Sequence, residues 1–312
     1  MFQVILQEAK KNGDDEMNNQ LIGRIHDRMS GFSKGQKRIA KYIEEHYDKV
    51  AFMTASKLGA TVGVSESTVV RFATEIGYSG YPELQRAMQQ MIRSRLTSVQ
   101  RLEITAQNLE IPQLLSAVLN QDIDIIRRTN EETSHEDFYQ AVDAIVDARR
   151  VYIMGARSSH ALATFLSYYF NLIFDSVRLV NCSSEAEIFE QMVNVGKDDA
   201  VVAISFPRYS RKVVKALQFA TDRGARTIAL TDSPLSPLAE AAAYRMLARS
   251  DMASFVDSLV APLSLINAFI VTTAIRKKET VGENLRRLEE IWDQYGVYEK
   301  VDDKQREYEQ QL

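Results

Sequence analysis

The run Ser205-Phe206-Pro207-Arg208-Tyr209-Ser210-Arg211 lies between an apolar stretch, AVVAI, and an amphipathic one, KVVKALQFATDRG. Serines in a turn between a strand and a helix offer hydroxyls and backbone N–H groups to an anion, and the helix dipole adds to the attraction. Such cradles usually contain glycine, whereas Pro-Arg-Tyr fills the middle of this one. Pro207 removes a backbone donor, and a side chain at Arg208 limits how near an oxyanion comes to the main chain. In return, Arg208 and Arg211 can give forked, charge-assisted bonds to a phosphate or carboxylate. Tyr209 either stacks on a sugar face or packs as a surface tyrosine.

Other chemistries find little support. The single cysteine, Cys182, excludes an intramolecular disulfide framework, fits a reducing compartment, and reads as a packed thiol because no histidine adjoins it. His26, His46, His135 and His160 are scattered, with no pair at the i, i+4 spacing of a helical metal site, so neither a metal nor any other cofactor is expected. No run approaches the roughly 18 apolar residues of a membrane span. The first residues lack a basic leader and a small-residue cleavage site, so the expected location is the cytoplasm. Met17 is an alternative start.

A second constellation concerns nucleic acid. In TASKLGATVGVSESTVVRFATEIGYSGYPEL a short helix ending near Val62 meets a tight turn at Gly63-Val64 and a second helix capped by Ser65. That spacing is a helix-turn-helix. On the second helix Val69, Phe72 and Ile76 share a face and are expected to bury, which turns Ser67, Val70, Arg71 and Thr74 outward. Ser67, Val70 and Arg71 are therefore assigned to the major groove, with Ser65, Thr68, Lys57, Lys34 and Lys37 on the phosphate backbone. The plain alternative is a capped helix in a small bundle. Charge favours DNA: residues 20–95 hold 12 Lys and Arg against 7 Asp and Glu, a net of +5, while the rest of the chain carries −9.

These sites need elements to hold them. From Leu21 to Arg95 the pattern is helical throughout, with breaks at GFS, GVS and GYSGYP. Polar residues dominate to about Leu115, and Pro112 marks a helix start. Beyond it, the strand runs VYIM, VRLV, AVVAIS, RTIALT and YRMLA alternate with helical patterns, which indicates a parallel sheet covered on both faces. FVDSLVAPLSLINAFIVTTAI reads as a buried helix interrupted or kinked near Pro262, and Leu285, Leu288 and Ile291 form a short apolar seam in a charged tail. The resulting division is residues 1–19, an unassigned extension; 20–95, an all-α helix-turn-helix bundle; 96–115, a linker; 116–280, an α/β domain; and 281–312, a helical tail.

The run GQKRIAKYIEEHYDKVAFMTASKLGATVGVSESTVVRFATEIGYSGYPELQRAM resembles the N-terminal domain of RpiR-type (MurR/RpiR) transcriptional regulators, with RIAKYI, VSESTVVRF and GYSGYPEL carrying the likeness over some fifty residues. YIMGARSSHALATFL, AISFPRYSRKVVKAL and IALTDSPLSPLAEAA are similar, in order, to the three strand-loop-helix units of a sugar-isomerase (SIS) domain. The resemblance implies a regulator that binds double-stranded operator DNA as a homodimer or homotetramer and responds to a carbohydrate-derived effector. SIS domains carry Gly-x-Gly-x-Ser in the first loop and Ser-x-Ser-Gly-x-Thr in the second, around the phosphate of a phosphosugar. Gly155 and Ser159 match the first pattern, with Arg157 at its second glycine and Ser158 beside it. In the second, Ser205 matches, Ser210 stands at the threonine, Pro207 at a serine and Arg208 at the glycine. Ser183 and Ser184 either read ligand hydroxyls or cap the helix that begins SSEAE. Arg157, Arg208 and Arg211 each either hold the anion or pair with an acid such as Glu185 or Glu187. The lost glycines favour sensing over catalysis; the alternative function is a sugar-phosphate isomerase or deaminase using Glu185, Glu187 or His160 as base.

Overall fold

The computed structural model describes residues 15–93, 97–108, 111–251 and 256–298. Two compact units emerge, one comprising residues 1–117 with 252–257, the other residues 118–251 with 258–312.

In the first unit, α1 (Asp15–Arg28), α2 (Lys34–Val50), α3 (Ala55–Val62), α4 (Glu66–Glu75) and α5 (Tyr81–Arg93) form a helical bundle, followed by α6 (Ser98–Asn108). Helical spacing makes the core: Ile39 and Ile43 of α2, Leu58 of α3, Val69, Phe72 and Ile76 around α4, and Leu84 and Met88 of α5 are all fully buried. Ser33 starts α2 through a reciprocal capping box with Gln36. The Gln36 amide then donates to Glu75 at 2.5 Å, joining the first turn of α2 to the end of α4.

The second unit begins within α7 (Ile111–Glu132), followed by α8 (His135–Val146) and a five-stranded sheet: β1 (Arg150–Gly155), β2 (Val177–Leu179), β3 (Asp199–Ile204), β4 (Arg226–Thr231) and β5 (Tyr244–Leu247). All neighbours are parallel, in the order β2-β1-β3-β4-β5, and Gly155 pairs with Ile204 at the carboxyl ends of the two central strands. Alternate strand residues serve opposite faces. Val151, Ile153, Val202 and Ile228 pack with Phe138 of α8, Leu166 of α9 (Ser159–Phe170) and Phe269 of α13 (Val260–Arg276). Tyr152, Met154, Val201 and Ala229 pack with Ile188 of α10 (Glu185–Gln191), Leu217 of α11 (Arg211–Asp222) and Leu238 of α12 (Pro237–Glu240). The last described helix is α14 (Lys278–Tyr295).

One expectation is corrected. Pro262 does not interrupt a helix: α13 begins at Val260, so Pro262 lies in the first turn, where its missing N–H has no intrahelical acceptor to lose. The bend falls instead at Lys277, where α13 and α14 turn by 100°. The polar stretch after Arg95 carries helix over most of its length, in α6 and the first turns of α7. Among the described residues no single helix is long and apolar enough to cross a membrane.

Candidate functional site

The first site is built on α3 and α4. Thr54 caps α3 by accepting from Lys57 N at 3.1 Å, and Gly63 ends it in the left-handed conformation, φ 71°. Val64 N donates to Gly59 O at 2.8 Å, which folds the turn so tightly that a Cβ on Gly59 would lie 2.8 Å from Val64 O. Ser65 then caps α4, accepting from Thr68 N at 3.3 Å. Its Oγ also lies 2.9 Å from Ser67 Oγ and 2.8 Å from Thr68 Oγ1, so three hydroxyls cluster at one helix N-terminus.

Val69, Phe72 and Ile76 are buried, while Ser67, Val70, Arg71 and Thr74 face solvent. An exposed valine on such a helix is suited to a thymine methyl and an exposed arginine to guanine. Arg71 Nε rests on Ser67 O at 3.2 Å, an interaction the side chain gives up when it extends. Lys34, Lys37 and Lys57 are exposed. Arg38 carries no signal in the sequence pattern, yet its Nη2 donates to Gly63 O at 2.9 Å and so fixes the turn between the two helices.

The second site lies where β1 and β3 end side by side. The chain leaves β1 toward β2 on one side and later returns to β3 on the other, so the crevice between the two loops is the topological switch point where open parallel sheets hold ligands. Gly155 is required there, because a Cβ would come within 2.5 Å of Ser159 O. Arg157 has φ 58° and Arg208 has φ 66°, and these are the only non-glycine residues in the left-handed region among those described. The left-handed backbone at each costs about 1–2 kcal/mol of local strain.

Both loops lead into helix N-termini that lack a side-chain cap, Ser158 before α9 and Ser210 before α11. Ser159 is buried in the first turn of α9. Ser205, also buried, accepts from Ser210 N at 3.1 Å and closes the second loop on itself. Tyr209 donates from its hydroxyl to Asp232 Oδ1 at 2.9 Å, linking that loop to the one after β4. Of its two alternatives it takes the packed one, as a tie between loops.

Ser183 and Ser184 lie at the start of α10. Ser184 Oγ accepts from Glu187 N at 3.2 Å and Ser183 Oγ donates to Asn181 Oδ1 at 2.7 Å, so both hydroxyls are engaged within their own turn. Glu185 pairs with Lys215 at 3.0 Å and Glu187 accepts from Asn181 Nδ2 at 2.6 Å. Lys212, in the first turn of α11, belongs to no motif of the sequence, yet its amine donates to Cys182 O and, at 3.1 Å, to Ser183 O, fastening the loop after β2 beside α11. Burial pushes the Cys182 thiol up, away from the reactive thiolate. Among the described residues no group of three or more His, Cys, Asp or Glu side chains is arranged to hold a metal ion. A cavity of about 310 Å³ lies between α7, α8 and α13, but its threonines 129 and 133 already serve backbone groups, leaving a mainly apolar wall unsuited to an anion.

Family models match both parts of the chain. A model described as "Helix-turn-helix domain, rpiR family" matches residues 19–95, and one described as "SIS domain" matches residues 144–272. An uncharacterised HTH-type transcriptional regulator of Caldanaerobacter subterraneus subsp. tengcongensis is 26% identical over 280 residues, covering 87% of this chain and 96% of its own. The HTH-type transcriptional regulator HexR of Pseudomonas aeruginosa is 22% identical over 275 residues, with 86% and 94% covered. Among solved structures, the sugar isomerase domain of an RpiR transcription factor from Sphaerobacter thermophilus is 30% identical with a TM-score of 0.53, covering 57% of this chain and 99% of that one. Vibrio vulnificus NanR, solved in complex with ManNAc-6P, shares the fold at a TM-score of 0.52 and 20% identity, with 88% and 98% covered. This chain therefore belongs to the RpiR family of helix-turn-helix transcriptional regulators that carry a SIS domain.

Proposed function

We propose that the SIS domain senses a carbohydrate metabolite, a sugar phosphate or a related sugar acid or polyol, at the loops after β1 and β3, and that this ligand changes the operator affinity of the helix-turn-helix domain without being converted. The observation that carries the reading is the pair of arginines held at positive φ, Arg157 at 58° and Arg208 at 66°, on neighbouring loops. Adjacent strands lie about 4.8 Å apart, so guanidinium groups from both loops can reach one anion. Strained backbone of this kind persists where the surroundings enforce it and clusters at ligand clamps. Arg211, Ser158 and Ser210 complete the set, with the uncapped N-termini of α9 and α11 adding dipole and N–H donors. ManNAc-6P in NanR supports a phosphosugar as the ligand class. Sensing rather than turnover is supported by the engagement of two of the three candidate bases, Glu185 with Lys215 and Glu187 with Asn181, which leaves exposed His160 as the one for the turnover assay to test.

In the same reading Ser67, Val70 and Arg71 meet base edges, Ser65, Thr68, Lys34, Lys37 and Lys57 meet phosphates, and two copies of the chain address paired half-sites. The test measures binding of the full chain to an operator fragment at fixed salt, with and without a panel of hexose phosphates, sugar acids and polyols, and assays the same panel for turnover. Arg208→Glu is expected to abolish the response to the active compound with operator affinity intact, and Arg71→Ala to do the reverse. An Arg208→Glu protein that responds at wild-type concentrations of the compound would sink the effector site; turnover of the compound would restore the isomerase alternative.

A further inference from the structure

The segment leaving β5 is bound to α7 at every turn of that helix's second half. Thr133 Oγ1 donates to Leu247 O at 3.2 Å, and Arg249 N donates to Thr129 Oγ1 at 3.1 Å. The Arg249 guanidinium forks onto Glu132 at 2.6 and 2.7 Å. On the adjoining row of α7, Arg128, with its side chain 11% exposed, lies 3.3 Å from Asp251 and 3.6 Å from Asp124. Ser258 Oγ donates to Asp122 at 2.6 Å. Arg101 of α6, 1% exposed, pairs with Asp257 at 2.9 Å.

This is an unusual way to fasten a connection. Buried ion pairs recover little beyond their own desolvation, and apolar residues of like volume commonly hold a helix as well or better. What paired charges offer is an arrangement that a nearby change in charge can bias. Such a change is close at hand: Ala248 N, beside Arg249, donates to Thr231 O at 2.9 Å, and Asp232, beside Thr231, accepts from Tyr209, next to Arg208 in the loop after β3. At the other end, α7 is a single helix running through the division of the chain into units at residues 117 and 118.

We infer that the Arg249–Glu132 pair and its buried neighbours form a clasp that couples the effector loops to α7, with Arg249 and Glu132 as positioning residues for the regulatory response. Effector at Arg208 displaces the Tyr209–Asp232 tie, the shift passes through the Thr231–Ala248 hydrogen bond to Arg249, and the hold of Arg249 on Glu132 and α7 changes. The route rests on the effector site proposed above; the hold of the clasp on α7 does not.

The test therefore uses the full chain, no small molecule, and an operator fragment selected from a random duplex pool. Charge reversal at either end, Arg249→Glu or Glu132→Arg, is expected to change operator affinity at least about fivefold, the lower end of usual coupling strengths, and to speed hydrogen exchange of the α6 and α7 amides. The double variant with the charges swapped is expected to recover both readouts, which assigns the effect to the pairing of the two charges and not to either residue alone. Single variants indistinguishable from wild type, or a double variant as defective as the singles, overturn the clasp. Should a reversal fail to fold, Glu132→Gln takes its place, on a carboxylate side chain 50% exposed: faster α7 exchange supports the clasp and unchanged exchange overturns it. Loss of the effector site alone would leave all of these results as expected, so the two failures are distinguishable.

Discussion

At the scale of the residue, Arg157 and Arg208 are set apart by their backbone, at φ 58° and 66°. An L-residue with a Cβ held at positive φ costs about 1–2 kcal/mol, and glycine's extra chain entropy costs about 0.5–1 kcal/mol, so glycine is the more stable choice at both positions. Arg157→Gly and Arg208→Gly are each expected to raise stability by about 0.5–1 kcal/mol in denaturant unfolding while weakening the effector response. A stability loss in both would mean that the side chains, rather than the loop backbone, hold those turns. The arginines themselves were legible as replacements for glycine through the resemblance. Their left-handed backbone was not, because φ is enforced by neighbours such as the Ser205–Ser210 closure, 3.1 Å long, and not by the residue itself.

At the scale of the element, the helix-turn-helix depends on two small features, the cap at Ser65 and the bare α-carbon of Gly59. Removing the Ser65 hydroxyl is expected to cost about 1 kcal/mol of stability. Gly59→Ala meets backbone, Val64 O at 2.8 Å, which cannot rotate away, so a loss of about 1–3 kcal/mol is expected. Thermal unfolding of the two variants checks the order; Gly59→Ala with the stability of wild type would show that the turn can widen. Strands were easy to read in the sequence because fully buried parallel strands are near-continuous apolar runs, as in RTIALT, which is β4 from end to end. α6 and the start of α7 read as linker for the opposite reason. Their apolar residues are few and exposed, Ile111 84% and Leu115 72%, so no buried stripe announced a helix.

At the scale of the whole molecule, charge is divided along the chain, +5 in residues 20–95 and −9 elsewhere. DNA affinity resting on Lys34, Lys37 and Lys57 must fall with salt, because added salt opposes the release of counterions from the duplex. Replacing any one of them by alanine is expected to make the slope of log affinity against log salt shallower by about 0.9 for each phosphate no longer neutralised. A slope unchanged in all three variants would assign the phosphates to other cations. Substitution at Arg249 is expected to leave that slope alone, since it acts through α7 and not on DNA.

The sequence by itself determined the two-part organisation, the parallel sheet, the helix-turn-helix and the loops where an anion is expected, because each is written in local periodicity, caps and short motifs. Only the tertiary structure decided which polar groups are already engaged. Ser183 and Ser184 close their own turn, Lys212 reaches back 30 positions to the carbonyl of Cys182, and Arg249 meets Glu132 across 117. Such partners are chosen by the topology that brings strand ends and helices together, and spacing along the chain carries no record of that distance.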